Sequence, residues 1–171
     1  MTVALRLLSW KTADNKNGGQ RTRKKPGEPP LSDVTVETGP PGDLMRAMGD
    51  GEVLLLDAEA GRATMAFTVK PEFCHSGYIC QGGFVAGWID SAMAHAVMGQ
   101  TNGTLSPATL EIKVTYLKPA IKGTRVKAIG WIEKRGRHVV FLEGEVLNET
   151  GEVIAKATST AQLMPIKSDG A

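Results

Sequence analysis

A chain of 171 residues, 42% hydrophobic and 22% charged, has the size and make-up of one globular domain. Its net charge of +2 is unevenly spread: residues 1–30 hold seven basic and two acidic residues, whereas residues 40–171 hold 13 basic and 14 acidic ones. The bulk of the chain is therefore near neutral, which argues against nucleic acid as a partner, and two cysteines are too few for a disulfide scaffold.

Cysteine usage of this kind points to a cytoplasmic protein whose Cys74 and Cys80 stay reduced. No apolar run approaches the roughly 20 residues of a membrane span, so no membrane is expected. The N-terminus lacks the apolar core and cleavage site of a secretory signal. The basic stretch KTADNKNGGQRTRKK reads as part of a disordered tail in preference to a transit peptide. The expected organisation is a tail over residues 1–41, one domain over 42–165 and a short C-terminal tail over 166–171.

In chain order, DLMRAM (43–48) reads as a short helix ended by Gly49. Val53–Ala58 and Arg62–Val69 read as two strands joined through the turn AEAG. A loop with His75, Ser76 and Gly77 leads to a long helix that opens at Gly82 and Gly83. That helix is apolar nearly all round (Phe84, Val85, Ala86, Trp88, Ile89, Ala92, Met93, Ala94, Ala96, Val97), so it is expected to be buried on every side. Thr109–Leu117 then alternates, with Leu110, Ile112, Val114 and Tyr116 on one face and Thr109, Glu111, Lys113 and Thr115 on the other. Arg125–Lys134, His138–Leu147 and Glu152–Leu163 complete an expected four-stranded meander with turns at RGR and NETG. Two strands, one central helix and four strands predict an α+β hotdog fold, a curved antiparallel six-stranded sheet wrapped around one helix.

Asp90 stands out in that helix. At about 100° per residue it shares a face with Gly83, Ala86, Gly87, Ala94 and Val97, none of which can neutralise a carboxylate. A buried, unpartnered carboxylate is expensive, and such a cost usually marks function; the plainer reading pairs it with a residue from elsewhere, His75 or Thr109. The backbone N–H groups at Gly82 and Gly83 lie at the positive end of the helix dipole and lack internal acceptors. Donors of this kind can stabilise an oxyanion, although paired glycines also serve tight packing. Gly82 and Asp90 are eight residues apart, hence about 12 Å along one helix. One helix cannot aim both groups at one substrate atom, so a site using both must lie across a dimer interface.

The runs QGGFVAGWIDSAMAHA and TLEIKVTYLKPA together resemble the hotdog-fold acyl-CoA thioesterases of the phenylacetate-degradation (PaaI-like) type, over roughly residues 42–164. The resemblance implies acyl-CoA hydrolysis without metal or other cofactor, in a homodimer or homotetramer that binds acyl-CoA between subunits. It implies that the Gly82 N–H polarises the thioester carbonyl and that Asp90 is the nucleophile or general base. Thr109 matches a Ser or Thr beside the acid, and His75 matches an amide that holds the thioester. Gln81 stands where relatives carry His in HGG; with Gly83 and Phe84 it falls in the substrate-binding region. Arg135 and Arg137, in a basic hairpin tip, are candidates for CoA phosphates, against the reading of a solvated turn.

Two other functions fit parts of the pattern. A hotdog hydratase or dehydratase would pair a loop histidine with a helix acid, but the Pro-rich stretch expected after the histidine is absent. A non-catalytic acyl-CoA-binding module is the other. Zinc is disfavoured by the six-residue separation of Cys74 and Cys80, and a thiol nucleophile by the usual role of cysteine as a small buried hydrophobe.

Overall fold

The structure, a computed structural model, describes residues 43–166. The expected tail over residues 1–41 and residues 167–171 of the C-terminal tail lie outside the described residues. A short helix α1 (Asp43–Ala47) precedes strands β1 (Glu52–Asp57) and β2 (Arg62–Thr68). A 3-10 turn at Pro71–Phe73 and a two-stranded ribbon, β3 (Cys74–His75) and β4 (Ile79–Cys80), lead into the long helix α2 (Gly82–Gln100). Strands β5 (Leu105–Tyr116), β6 (Arg125–Arg135), β7 (Val139–Leu147) and β8 (Val153–Pro165) follow.

The main sheet has six antiparallel strands in the order β1-β2-β6-β7-β8-β5, with α2 packed against it. This is the hotdog architecture. The expected four-stranded meander is corrected in one respect: β6, β7 and β8 form a meander, but β5 pairs with β8 and not with its chain neighbour β6. Strands β1 and β5 are therefore the two edges, each with one ladder left unpaired.

Two glycines let the helix sit close. Gly130 in β6 and Gly144 in β7 are cross-strand partners. A Cβ built on Gly130 would lie 2.3 Å from the Met93 amide nitrogen, and one on Gly144 would lie 2.6 Å from Ile89 Cγ2. A mid-strand glycine commonly marks such a close backbone approach. Around this notch the core gathers Phe67, Trp88, Ile89, Met93, Val126, Val140, Val146 and Ile154. Trp88 stacks on Phe67 with centroids 5.7 Å apart and donates its indole N–H to the Met48 carbonyl at 2.6 Å. That bond ties the segment after α1 to the helix and satisfies the one polar atom of a buried indole.

Candidate functional site

Helix α2 turns Val85, Trp88, Ile89, Ala92, Met93, Ala96 and Val97 toward the core. Gly83, Ala86, Gly87, Asp90 and Ala94 are not buried. The expectation of a helix buried on every side is thus corrected: a stripe of small residues around Asp90 is only half covered within one chain. Asp90 is half-buried and accepts a 2.8 Å hydrogen bond at Oδ1 from the Thr109 hydroxyl. The carboxylate is therefore partnered, and by Thr109, not His75. A charge-assisted bond of this kind fixes one oxygen and leaves Oδ2 for other chemistry.

Thr109 reaches Asp90 because the alternation of β5 breaks once. Its pairing with β8 runs Thr109↔Ala161 and then Glu111↔Thr160, so Leu110 is the extra residue of a bulge. Simple alternation puts Thr109 on the face opposite Ile112, Val114 and Tyr116. The bulge restores it to the helix side and leaves Leu110 60% exposed.

At the start of α2, Gln81 is the N-cap residue, and its side-chain carbonyl accepts the Gly83 N–H at 2.6 Å. Glutamine is not among the favoured N-caps, yet here it does the capping work, which gives the position a structural role. The Gly82 N–H has no acceptor among the described residues. Tyr116, at the end of β5, donates its hydroxyl to the Gly82 carbonyl at 2.8 Å. Its ring lies tight beside the place of a Gly82 Cβ, which would stand 3.0 Å from Tyr116 Cζ. Sequence reasoning placed Tyr116 on the same strand face as Ile112 and Val114 but did not name it as a site residue. The signal was the tyrosine in TLEIKVTYLKPA.

The other candidates are placed as follows. His75 is exposed on β3, and its Nδ1 lies 3.3 Å from the Ser76 hydroxyl; the histidine–acid pair that a hydratase would need is not formed within the chain. Phe84 stacks on Phe73 with centroids 4.1 Å apart, beside the helix start. Arg135 and Arg137 line an open depression with Gln100, Thr101 and Asn102 at the far end of α2. That end is 18 residues from Gly82, about 27 Å along the axis, so within one chain these arginines do not share a site with it. Cys74 and Cys80 face each other across the β3–β4 ribbon as free thiols. Burial, and to a smaller degree the neighbouring Cys74, pushes the Cys80 thiol up to about 11, which disfavours its nucleophilic thiolate. Among the described residues no group of three or more His, Cys, Asp or Glu side chains gathers to hold a metal, and no helix is long and apolar enough to cross a membrane.

Comparison with known proteins gives this geometry a context. The Thioesterase superfamily model matches residues 79–155, from the ribbon through α2 into β8. A candidate esterase of Saccharolobus solfataricus is 28% identical over 116 residues, covering 68% of this chain and 81% of its own length. Human acyl-coenzyme A thioesterase 13 is 24% identical over 114 residues, covering 66% of this chain and 81% of its own. Among solved structures, a single-residue variant of the phenylacetic acid degradation protein PaaI of Thermus thermophilus superposes with a TM-score of 0.62 at 27% identity, covering 71% of this chain and 98% of that one. A thioesterase-named protein of Streptococcus pneumoniae, solved with coenzyme A, has a TM-score of 0.64 at 18% identity and covers 72% and 93%; at that identity the likeness is one of fold.

Proposed function

We propose that this chain is a hotdog-fold thioesterase of the phenylacetate-degradation type, which hydrolyses an acyl-CoA to free acid and CoA at a site shared by two subunits. The observation that carries the reading is the Thr109–Asp90 hydrogen bond on the open face of α2, with an unengaged Gly82 N–H eight residues earlier on the same helix. The two groups are about 12 Å apart along the axis. A reacting carbonyl needs both within about 3 Å, so Asp90 of one subunit acts on the carbonyl held by Gly82 of the other, with the two helices antiparallel.

In this scheme the Gly82 N–H and the positive end of the α2 dipole stabilise the oxyanion. Thr109 holds Asp90 Oδ1 so that Oδ2 either takes a proton from the attacking water or attacks the carbonyl carbon itself. Collapse of the tetrahedral intermediate breaks the C–S bond, and CoA leaves as a thiolate that needs little acid assistance. In the second case water then hydrolyses the mixed anhydride on Asp90, releasing the free acid and restoring the carboxylate. The same antiparallel arrangement brings Arg135 and Arg137 of one chain toward the Gly82 end of the other, where CoA phosphates would lie. The edge position of β5, with Leu110 60% and Tyr116 52% exposed, supports pairing through that edge.

The test is Asp90→Asn, assayed by release of free thiol from a panel of short, medium and aryl acyl-CoAs. The expected result is loss of turnover by about 10³-fold or more with the oligomer intact. Near-wild-type turnover would remove Asp90 from the mechanism.

A further inference from the structure

The two glycines at the start of α2 form the most rotatable backbone available, yet an oxyanion donor works only if it is held in place before the reaction. The donor's own peptide, Gln81–Gly82, is anchored at its C=O by the Phe84 N–H at 3.1 Å, and the peptide that follows it is held from two directions. The Gly82–Gly83 peptide is gripped at its N–H by the Gln81 side-chain carbonyl at 2.6 Å and at its C=O by the Tyr116 hydroxyl at 2.8 Å. The Tyr116 ring also fills the space beside the Gly82 α-carbon, with Cζ, Oη and Cε1 all 3.0–3.2 Å from where a Cβ would stand. Core packing does not explain this side chain, because it is 52% exposed on an edge strand.

We propose that Tyr116 is a positioning residue for the oxyanion donor: its hydroxyl and ring fix the Gly82–Gly83 peptide and the Gly82 α-carbon, which limits rotation about Gly82 and keeps the N–H of the adjoining Gln81–Gly82 peptide aimed out of the helix start. The assignment rests on the reading of Gly82 as the carbonyl-polarising group. It also gives β5 a double duty, since this one strand sends Thr109 to the acid and Tyr116 to the donor. Gln81 supplies the opposing grip, which accounts for a glutamine at the cap.

Tyr116→Phe tests this, since it keeps the ring and removes only the hydroxyl. For a donor that matters in the transition state, kcat and kcat/KM should fall together by about tenfold while KM stays within about twofold. Binding of a non-hydrolysable thioether analogue of the substrate and the thermal midpoint should be unchanged. Gln81→Ala, which removes the other grip, should show the same kinetic pattern together with a lower thermal midpoint, because it also removes the cap of α2. Asp90→Asn run in parallel separates the two levels of inference. If Asp90→Asn abolishes turnover while Tyr116→Phe leaves kcat within about twofold, the positioning role is overturned and the thioesterase mechanism stands. If Asp90→Asn leaves turnover intact, the mechanism itself fails. A rise in KM at constant kcat for Tyr116→Phe would also overturn the proposal, by making Tyr116 a ground-state binding residue.

Discussion

A methyl group added at Gly82 would lie 3.0–3.2 Å from three atoms of the Tyr116 side chain, tighter than ordinary van der Waals contact. Because Tyr116 is half exposed, its ring can yield by swinging outward, so Gly82→Ala should fold. It should nevertheless lose the hydroxyl bond to the Gly82 carbonyl and reorient the peptide. The expected outcome is a drop in kcat of about 10²-fold, the scale of a lost oxyanion donor, with a thermal midpoint within a few degrees of wild type; calorimetry and steady-state kinetics check both halves. Thr109→Ala removes the bond to Asp90 Oδ1 and should lower kcat by about tenfold, with KM little changed, as expected for a group that orients a carboxylate. Cys80 gives a pH-dependent counterpart. Its thiol is raised from 9.0 to about 11 by burial first and Cys74 second, so the neutral form is the one the fold favours. The stabilisation this represents is complete below pH 9 and is lost as the pH rises through about 11. Alkylation of Cys80 in the folded protein should accordingly be slow at neutral pH and climb about tenfold per pH unit toward 11, as mass spectrometry of the labelled peptides would show. Rapid labelling at neutral pH would put a reactive thiolate back into consideration.

At the scale of elements, the contact that matters most is α2 against the Gly130–Gly144 pair. The Met93 amide nitrogen lies 2.3 Å from the position of a Gly130 Cβ, and that neighbour is helix backbone, which has no side-chain rotamer to give way. Gly130→Val should therefore push the helix off the sheet and cost several kcal/mol, in the range of severe overpacking. A cooperative thermal transition at the wild-type midpoint would contradict this. Much of this element layer was legible in the sequence because alternation is a local signal. The inward residues of β6, β7 and β8, such as Val126 and Ala128, Val140 and Leu142, and Ala161 and Leu163, follow period two and are buried. Three things were not legible, each because it depends on distant chain. The β5–β8 pairing joins segments tens of residues apart, and no local pattern distinguishes it from β5–β6. The bulge at Leu110 is set by that same pairing and reverses the face of Thr109. Ala86, Gly87 and Ala94 read as core in the sequence whether or not anything covers them, which hid the open face of α2. In the site, Asp90 was legible as a carboxylate on a helix face of small residues, Gly82 as a donor at a helix start and Thr109 as one of two candidate partners for the acid. The resemblance to known thioesterases added the role expected of each. The capping by Gln81 and the grip of Tyr116 depend on how β5 meets the helix start, and residue spacing alone does not encode that.

For the whole molecule, the decisive matter is whether one chain carries a complete site. The Gly82 N–H and the Asp90 carboxylate sit on one rigid helix, eight residues apart, and about 12 Å is too far for both to act on one carbonyl. Two antiparallel helices related by a twofold axis remove the difficulty, because each chain then contributes opposite halves to two equivalent sites. The stripe of Gly83, Ala86, Gly87 and Ala94 beside Asp90 has no large side chain to hold a second helix away. Covering it would also desolvate Asp90, a cost that falls on assembly and not on folding of the single chain. Complementation tests this directly. Asp90→Asn and Gly82→Ala are each expected to be nearly inactive alone. Co-expressed in equal amounts and allowed to assort freely, half of the dimers should be mixed. Each mixed dimer then has one site built from an intact Gly82 and an intact Asp90, and one site with both groups altered. Activity should return to about a quarter of wild type under random twofold assembly. A site contained within one chain would restore nothing, because every chain carries one lesion. The same comparison on tagged, purified mixed dimers should give about half of wild-type turnover per dimer, and absence of recovery there would reject the shared site.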